Sequence, residues 1–159
     1  MRFPELAVRS LAGDAVVLPH DLPTQLTLVV CAFRQWQQRL VDQWIEWAVD
    51  AGVSPSPLGL DRNATSTVIE LPVLGRRYRP ARGFIDGGMA AGIRVPAVLA
   101  RTFTAYTDVA AFCRAAGIDT QATVTAMVVH RDGTIFARVA GPPDAAGIQA
   151  IAGALGLTH

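Results

Sequence analysis

Two hydrophobic periodicities organise the first third of the chain. Residues 25–33 contain Leu26, Leu28, Val29, Val30, Cys31, Ala32 and Phe33, an almost unbroken apolar run. Such a run predicts a strand covered on both faces, as in the centre of an α/β sheet. Directly after it, Trp36, Leu40, Val41, Trp44, Ile45, Trp47 and Ala48 recur at steps of three and four. That spacing predicts a helix burying one face, with all three tryptophans on or near it. Gly52 and Ser54-Pro55-Ser56-Pro57 end the helix. Before the apolar run, Glu5–Arg9 and Ala15–Leu18 flank a Gly13-Asp14 turn and predict a small hairpin.

The remainder alternates in the same way. A Gly/Pro/Asn linker leads to Ser66-Thr67-Val68-Ile69-Glu70-Leu71, a β-branched strand expected to halt at Pro72. Thr102–Thr107 predicts a further strand, and Asp108 a cap for a helix over Val109–Ala116 that Gly117 closes. Ala122–His130 and Thr134–Ala140 flank Asp132-Gly133 and predict a tight hairpin. Gly141-Pro142-Pro143-Asp144 opens a last helix with Ile148, Ile151, Ala152 and Leu155 on one face.

Residues 73–101 fit neither period cleanly. Arg76-Arg77-Tyr78-Arg79-Pro80-Ala81-Arg82 is basic, and Gly83–Ile93 follows with Gly83, Gly87 and Ala91 four apart, as are Gly88 and Gly92. A helix here presents a smooth face, expected to take close packing of another backbone or a dimer contact. Each glycine costs it roughly 1 kcal/mol of propensity, so tertiary contacts must hold it.

Composition narrows the class. The chain has 159 residues, 51% hydrophobic and 17% charged, which suits one core in one domain over 1–159 and excludes a disordered chain. A net charge of +1 gives no global field for nucleic acid or membrane. The fourteen basic residues are all arginine, which reads as the coding bias of a GC-rich bacterial genome. Cys31 and Cys113 are too few and too distant in sequence for a disulfide scaffold or zinc site, and three histidines add no metal motif, so no metal or cofactor is expected. The N-terminal charges Arg2, Glu5, Arg9 and Asp14 leave no signal peptide, and no run reaches the ~18 apolar residues of a membrane span. The expected address is the cytoplasm, where the Asn63-Ala64-Thr65 sequon has no meaning.

The element order is hairpin, strand, helix, strand, irregular helical insert, strand, helix, antiparallel hairpin, helix. A β-α-β half followed by a β-β-α half resembles the thioredoxin-like fold. The stretch Val128-Val129-His130-Arg131-Asp132-Gly133-Thr134-Ile135-Phe136-Ala137-Arg138-Val139-Ala140-Gly141 resembles that family's closing hairpin. The apolar strand ending Ala32-Phe33, with Trp36 soon after, resembles the point where a Trp precedes the family's Cys-x-x-Cys motif. The matching positions here are Gln37, Gln38, Arg39 and Leu40, without a thiol. The chemistry needs a thiolate whose pKa is lowered at a helix N-terminus, and a second thiol one turn on. Thr125 stands near the family's cis-proline place. The resemblance implies a three-layer α/β fold with a central mixed sheet flanked by helices, an N-terminal hairpin and a helical insert at about 76–101. It also implies a lost redox function. The arginine stretch, Gly83–Met89 and Tyr106-Thr107-Asp108 further resemble the ATP-synthase assembly factor family, which implies a chaperone-like binding role without catalysis.

Three functions follow as expectations. The first is a redox-inactive binding or assembly module, not an enzyme. It uses Arg76, Arg77, Arg79 and Arg82, whose guanidinium groups suit a carboxylate- or phosphate-bearing partner; a solvated loop pairing with acids such as Asp86 is the plainer reading of the same residues. The second is a one-cysteine thiol oxidoreductase or peroxidase using Cys31, against which stands burial of that thiol in an apolar strand. The third is a small anionic-ligand binder in a groove near Arg34, Gln37 and Thr125. The expected partner is a protein or an anionic small molecule rather than nucleic acid, with a homodimer as a further option. Glu5, Glu46 and Glu70 are isolated in sequence, so no carboxylate pair is expected.

Overall fold

The computed structural model describes residues 1–57, 64–93 and 95–157. Asn63 of the sequon, with most of the predicted linker, lies outside them. Seven strands join one mixed sheet in the order β2-β1-β5-β4-β3-β6-β7. They are β1 (Leu6–Ser10), β2 (Ala15–Leu18), β3 (Leu26–Ala32), β4 (Ser66–Gly75), β5 (Phe103–Thr107), β6 (Thr125–His130) and β7 (Ile135–Ala140). The helices are α1 (Gln38–Asp50), α2 (Arg82–Gly92), α3 (Pro96–Arg101), α4 (Val109–Ala116) and α5 (Ala145–Leu155). Short 3-10 turns at Gln35–Gln37 and Arg76–Ala81 lead into α1 and α2.

The apolar run becomes β3, parallel to β4 and antiparallel to β6, with both faces buried. One core lies on the face where α4 packs, with Phe112, Cys113 and Ala116 against Val29, Cys31, Ile69, Leu71 and Met127. The other joins α1 and α5 to Leu28, Val30, Val68, Ala126 and Val128. Alternation along each strand decides which residue serves which core. Phe103 and Ala105 of β5 belong to the α4 side, so Thr104 and Tyr106 face the other side, where α2 lies across them. Helices therefore cover both faces, giving the expected three layers.

Four local expectations change. Pro72 does not halt its strand: β4 runs on to Gly75, pairing there with β5. The register partner of Pro72 is Ala32, the last residue of β3, so the ladder on that side is already ending where proline lacks its donor. Trp36 is not on the buried helix face. It sits in the turn before α1 and is 61% exposed, while Trp44 is fully buried and donates its indole N–H to the Gly141 carbonyl at 2.8 Å. The strand expected from Ala122 begins at Thr125. Finally, among the described residues nothing packs closely on the α2 glycines: a Cβ at Gly83, Gly87, Gly88 or Gly92 would meet no atom within 4 Å. The close approach is at Gly147 of α5, where a Cβ would stand 2.8 Å from Val139 Cγ1.

Candidate functional site

The corner after β3 is closed from within. Gln37 is fully buried at the end of the 3-10 turn. Its Oε1 accepts from the Phe33 backbone N–H at 2.8 Å, and its Nε2 donates to the Gln121 carbonyl at 2.9 Å. One side chain thus ties the start of α1 to the loop that enters β6. Thr125 opens β6 opposite Cys31 and is itself buried. Among the described residues the one cis peptide is Leu18-Pro19, so the bond before Thr125 is trans. Arg34 faces solvent. The three residues expected to line a groove are thereby divided: Gln37 and Thr125 are interior and Arg34 is exterior.

Cys31 is also interior. Burial, with the neighbouring Cys113 thiol adding to it, pushes the Cys31 thiol far above its ordinary value. Burial raises Cys113 as well. Both thiols are held protonated at neutral pH, and a thiol is a poor nucleophile.

Beside the corner lies a polar cluster that sequence reading missed. Glu70, in the middle of β4, is only 4% exposed. Its Oε2 receives Arg101 Nε of α3 at 3.3 Å, and its Oε1 receives Gln38 Nε2 of α1 at 2.9 Å. Gln38 also donates to Asp42 at 2.9 Å, and Arg101 donates to the Pro55 carbonyl at 3.4 Å. The available signal was the carboxylate in Val68-Ile69-Glu70-Leu71: a charge inside a fully buried strand requires a partner.

The arginine-rich stretch is split in two by the structure. Arg82 and Asp86, one helical turn apart, pair at 3.4 Å with both side chains largely buried. Asp86 Oδ1 accepts the Tyr106 hydroxyl at 2.6 Å, and Oδ2 accepts the Thr104 hydroxyl at 2.9 Å. Arg82 donates to the Thr104 carbonyl at 3.0 Å, and its guanidinium lies 4.9 Å from the Tyr106 ring centroid. Burial first, then the hydrogen bond and charge of Asp86, drive the Tyr106 phenol upward, partly offset by Arg82. Arg79 donates to the Tyr106 carbonyl at 2.9 Å. Arg79 and Arg82 are therefore fasteners of the insert. Arg76 and Arg77 are exposed: Arg76 makes a 3.6 Å contact with exposed Asp108, and Arg77 lies over Tyr78 and donates to its hydroxyl.

These fasteners leave the other face of α2 in water. No residue of α2 is buried. Phe84 is 88% exposed, Gly87, Gly88, Ala91 and Gly92 continue the same face, and Val95, just past the helix, is 56% exposed. Residues 84, 87, 88, 91 and 92 follow the three-four step of one helical stripe.

No family model matches the chain, and no curated protein matches it significantly. Solved structures do. A protein of Aquifex aeolicus VF5 superposes at TM-score 0.63 with 13% identity over 96% of each chain. The exposed lipoprotein thioredoxin Etrx1 of Streptococcus pneumoniae superposes at 0.54 with 8% identity, over 92% of this chain and 96% of that one. BsSco, of the Sco family of cytochrome c oxidase assembly proteins, superposes at 0.58 with 11% identity, over 99% and 95%. The fold is thioredoxin-like. At these identities the likeness extends to the fold alone. Within it, Gln37 occupies the turn between the central strand and α1, and the insert lies between β4 and β5. No helix among the described residues is long and apolar enough to cross a membrane.

Proposed function

We propose that this chain is a redox-inactive thioredoxin-like binding or assembly module that acts through its insert at 76–101. The observation that carries this reading is the outward face of α2. The sequence supplies four fasteners, Arg79, Arg82, Asp86 and Tyr106, to hold the inner face on the sheet, yet leaves Phe84 and its neighbours in water. A fully exposed phenyl ring on a face of small residues is a contact surface for a partner.

The corner supports the redox half of the reading. A buried, doubly bonded amide stands where the family places its nucleophile, and the nearest thiol is protonated and interior. The assembly half is in keeping with the sequence's resemblance to ATP-synthase assembly factors. BsSco, a member of an assembly-protein family, supplies a second instance of the fold in such a family.

Two measurements test the proposal. Reduction of insulin by dithiothreitol should proceed at the same rate with and without the protein; acceleration would end the redox-inactive reading. Binding should depend on exposed residues of the insert and not on its fasteners alone. Proteins captured from lysate by the parent chain are expected to be lost with Phe84→Ser and with Arg77→Ala. Equal capture by parent and variants, with no other ligand that separates them, would remove the insert from the function.

A further inference from the structure

We infer that the α2 face is a docking surface for an anionic lipid bilayer, with Phe84 as its apolar anchor and Arg76 and Arg77 as its phosphate contacts. The inference rests on the proposed binding role of the insert and names what the insert binds.

Charge is the first observation. Residues 73–101 carry six arginines against one acid, Asp86, although the whole chain has a net charge of only +1. The rest of the molecule is therefore net acidic. Within the segment Arg82 and Arg101 are turned inward onto Asp86 and Glu70, so its exposed positive charge includes Arg76 and Arg77, in the turn before α2. Asp86 does not soften that charge at the surface, because its two oxygens are turned inward onto Tyr106, Thr104 and Arg82. Arg76 and Arg77 hold exposed positions in the turn that leads into α2, and the carboxylate that Arg76 meets, on Asp108, is itself solvent-exposed. Such a pair exchanges readily for another anion, since exposed ion pairs contribute little.

Shape is the second observation. From Phe84 to Gly92 the outward stripe has no polar side chain, and a helix surface is convex. Two clefts of the molecule lie elsewhere, one lined by Asp14, Val16, Asp21 and Phe103 and the other by Gln43, Trp47, Asp50 and Pro143. A folded partner would have to bring its own groove to receive such a convex face. A fluid interface needs no matching groove: it closes around a protruding Phe ring, and its headgroup phosphates meet guanidinium groups at the rim. Tyr78, 41% exposed beside Arg77, suits the same boundary, with a polar hydroxyl on an apolar ring.

The test uses the full chain and sedimentable vesicles, one set of phosphatidylcholine and one with about a third phosphatidylglycerol. The chain should sediment with the anionic vesicles and stay in solution with the neutral ones, and binding should weaken as salt rises. Phe84→Ser should lower the partition coefficient about tenfold. Arg76→Ala and Arg77→Ala should each lower it about fivefold. These side chains are exposed, so the variants should melt with the parent, and an unchanged far-ultraviolet spectrum checks it. Absence of sedimentation with anionic vesicles, or equal sedimentation of Phe84→Ser and parent, overturns the inference. So does a Phe84-dependent dimer in light scattering without vesicle binding. If lysate proteins are captured in a Phe84-dependent way while vesicles leave the chain in solution, the lipid assignment falls and the binding-module reading stands. If neither vesicles, lysate capture nor self-association separates Phe84→Ser from the parent, both fall.

Discussion

At the scale of single residues, Gln37 shows how a reactive position becomes a structural one. Its amide has a donor and an acceptor, and both meet backbone groups on opposite sides of the corner. Gln37→Ala strands both partly buried partners, at about 1–3 kcal/mol each. Denaturant unfolding should therefore show a loss of about 2–6 kcal/mol with an unchanged m-value. The absence of thiols at 37 and 40 was legible in the sequence. The amide's two bonds were not, because Gln121 is 84 positions away and no local pattern links them. Glu70 carries the same lesson. It was readable as a charge inside an apolar strand, but its partner Arg101 comes from a helix that propensity barely predicts. Arg101→Ala leaves the buried carboxylate without its cation and should cost about 3–5 kcal/mol in the same assay.

At the scale of elements, the hydrophobic pattern placed most of the sheet. β3 declared itself by unbroken apolarity, β6 and β7 by their Asp132-Gly133 turn, and α4 by Asp108, whose carboxylate accepts from the Ala111 N–H at 3.0 Å. The insert was legible as helical and unusual, but its orientation was not. Glycine spacing suggested close packing, yet a small-residue face looks alike whether it is covered or open. What decides the orientation is Asp86, whose carboxylate is anchored by Thr104 and Tyr106 from a strand eighteen and twenty residues on. Because α2 buries no residue, this network carries most of its attachment. Asp86→Asn should release the helix without unfolding the sheet. Hydrogen exchange should then show lost protection over 82–92 with β3 and β6 unchanged; uniform loss across the molecule would contradict that division.

At the scale of the whole molecule, the core beneath α4 responds to pH through its two thiols. Cys31 and Cys113 lie in the core beneath α4, and their folded-state pKa values are raised above the ordinary thiol value near 9. Below that pH both states hold the protons and stability is full. As pH climbs past about 9, the unfolded chain releases protons that the folded chain retains, so stability falls. Melting temperature should therefore decline from about pH 9 upward, and Cys31→Ala should flatten that decline even though its cavity lowers stability at pH 7. The sheet's own connectivity reaches further still. The N-terminal hairpin joins the sheet through β5, with Arg9 opposite Thr104 and Ser10 opposite Phe103. Phe3, Leu6, Val8, Leu18 and Leu22 help to fill the α4-side core. The hairpin, made before its β5 partner, is thus among the last parts to find its place. It waits, apolar side chains uncovered, until the polymer has grown past position 104, and during that interval of synthesis the nascent chain is at its most vulnerable to association.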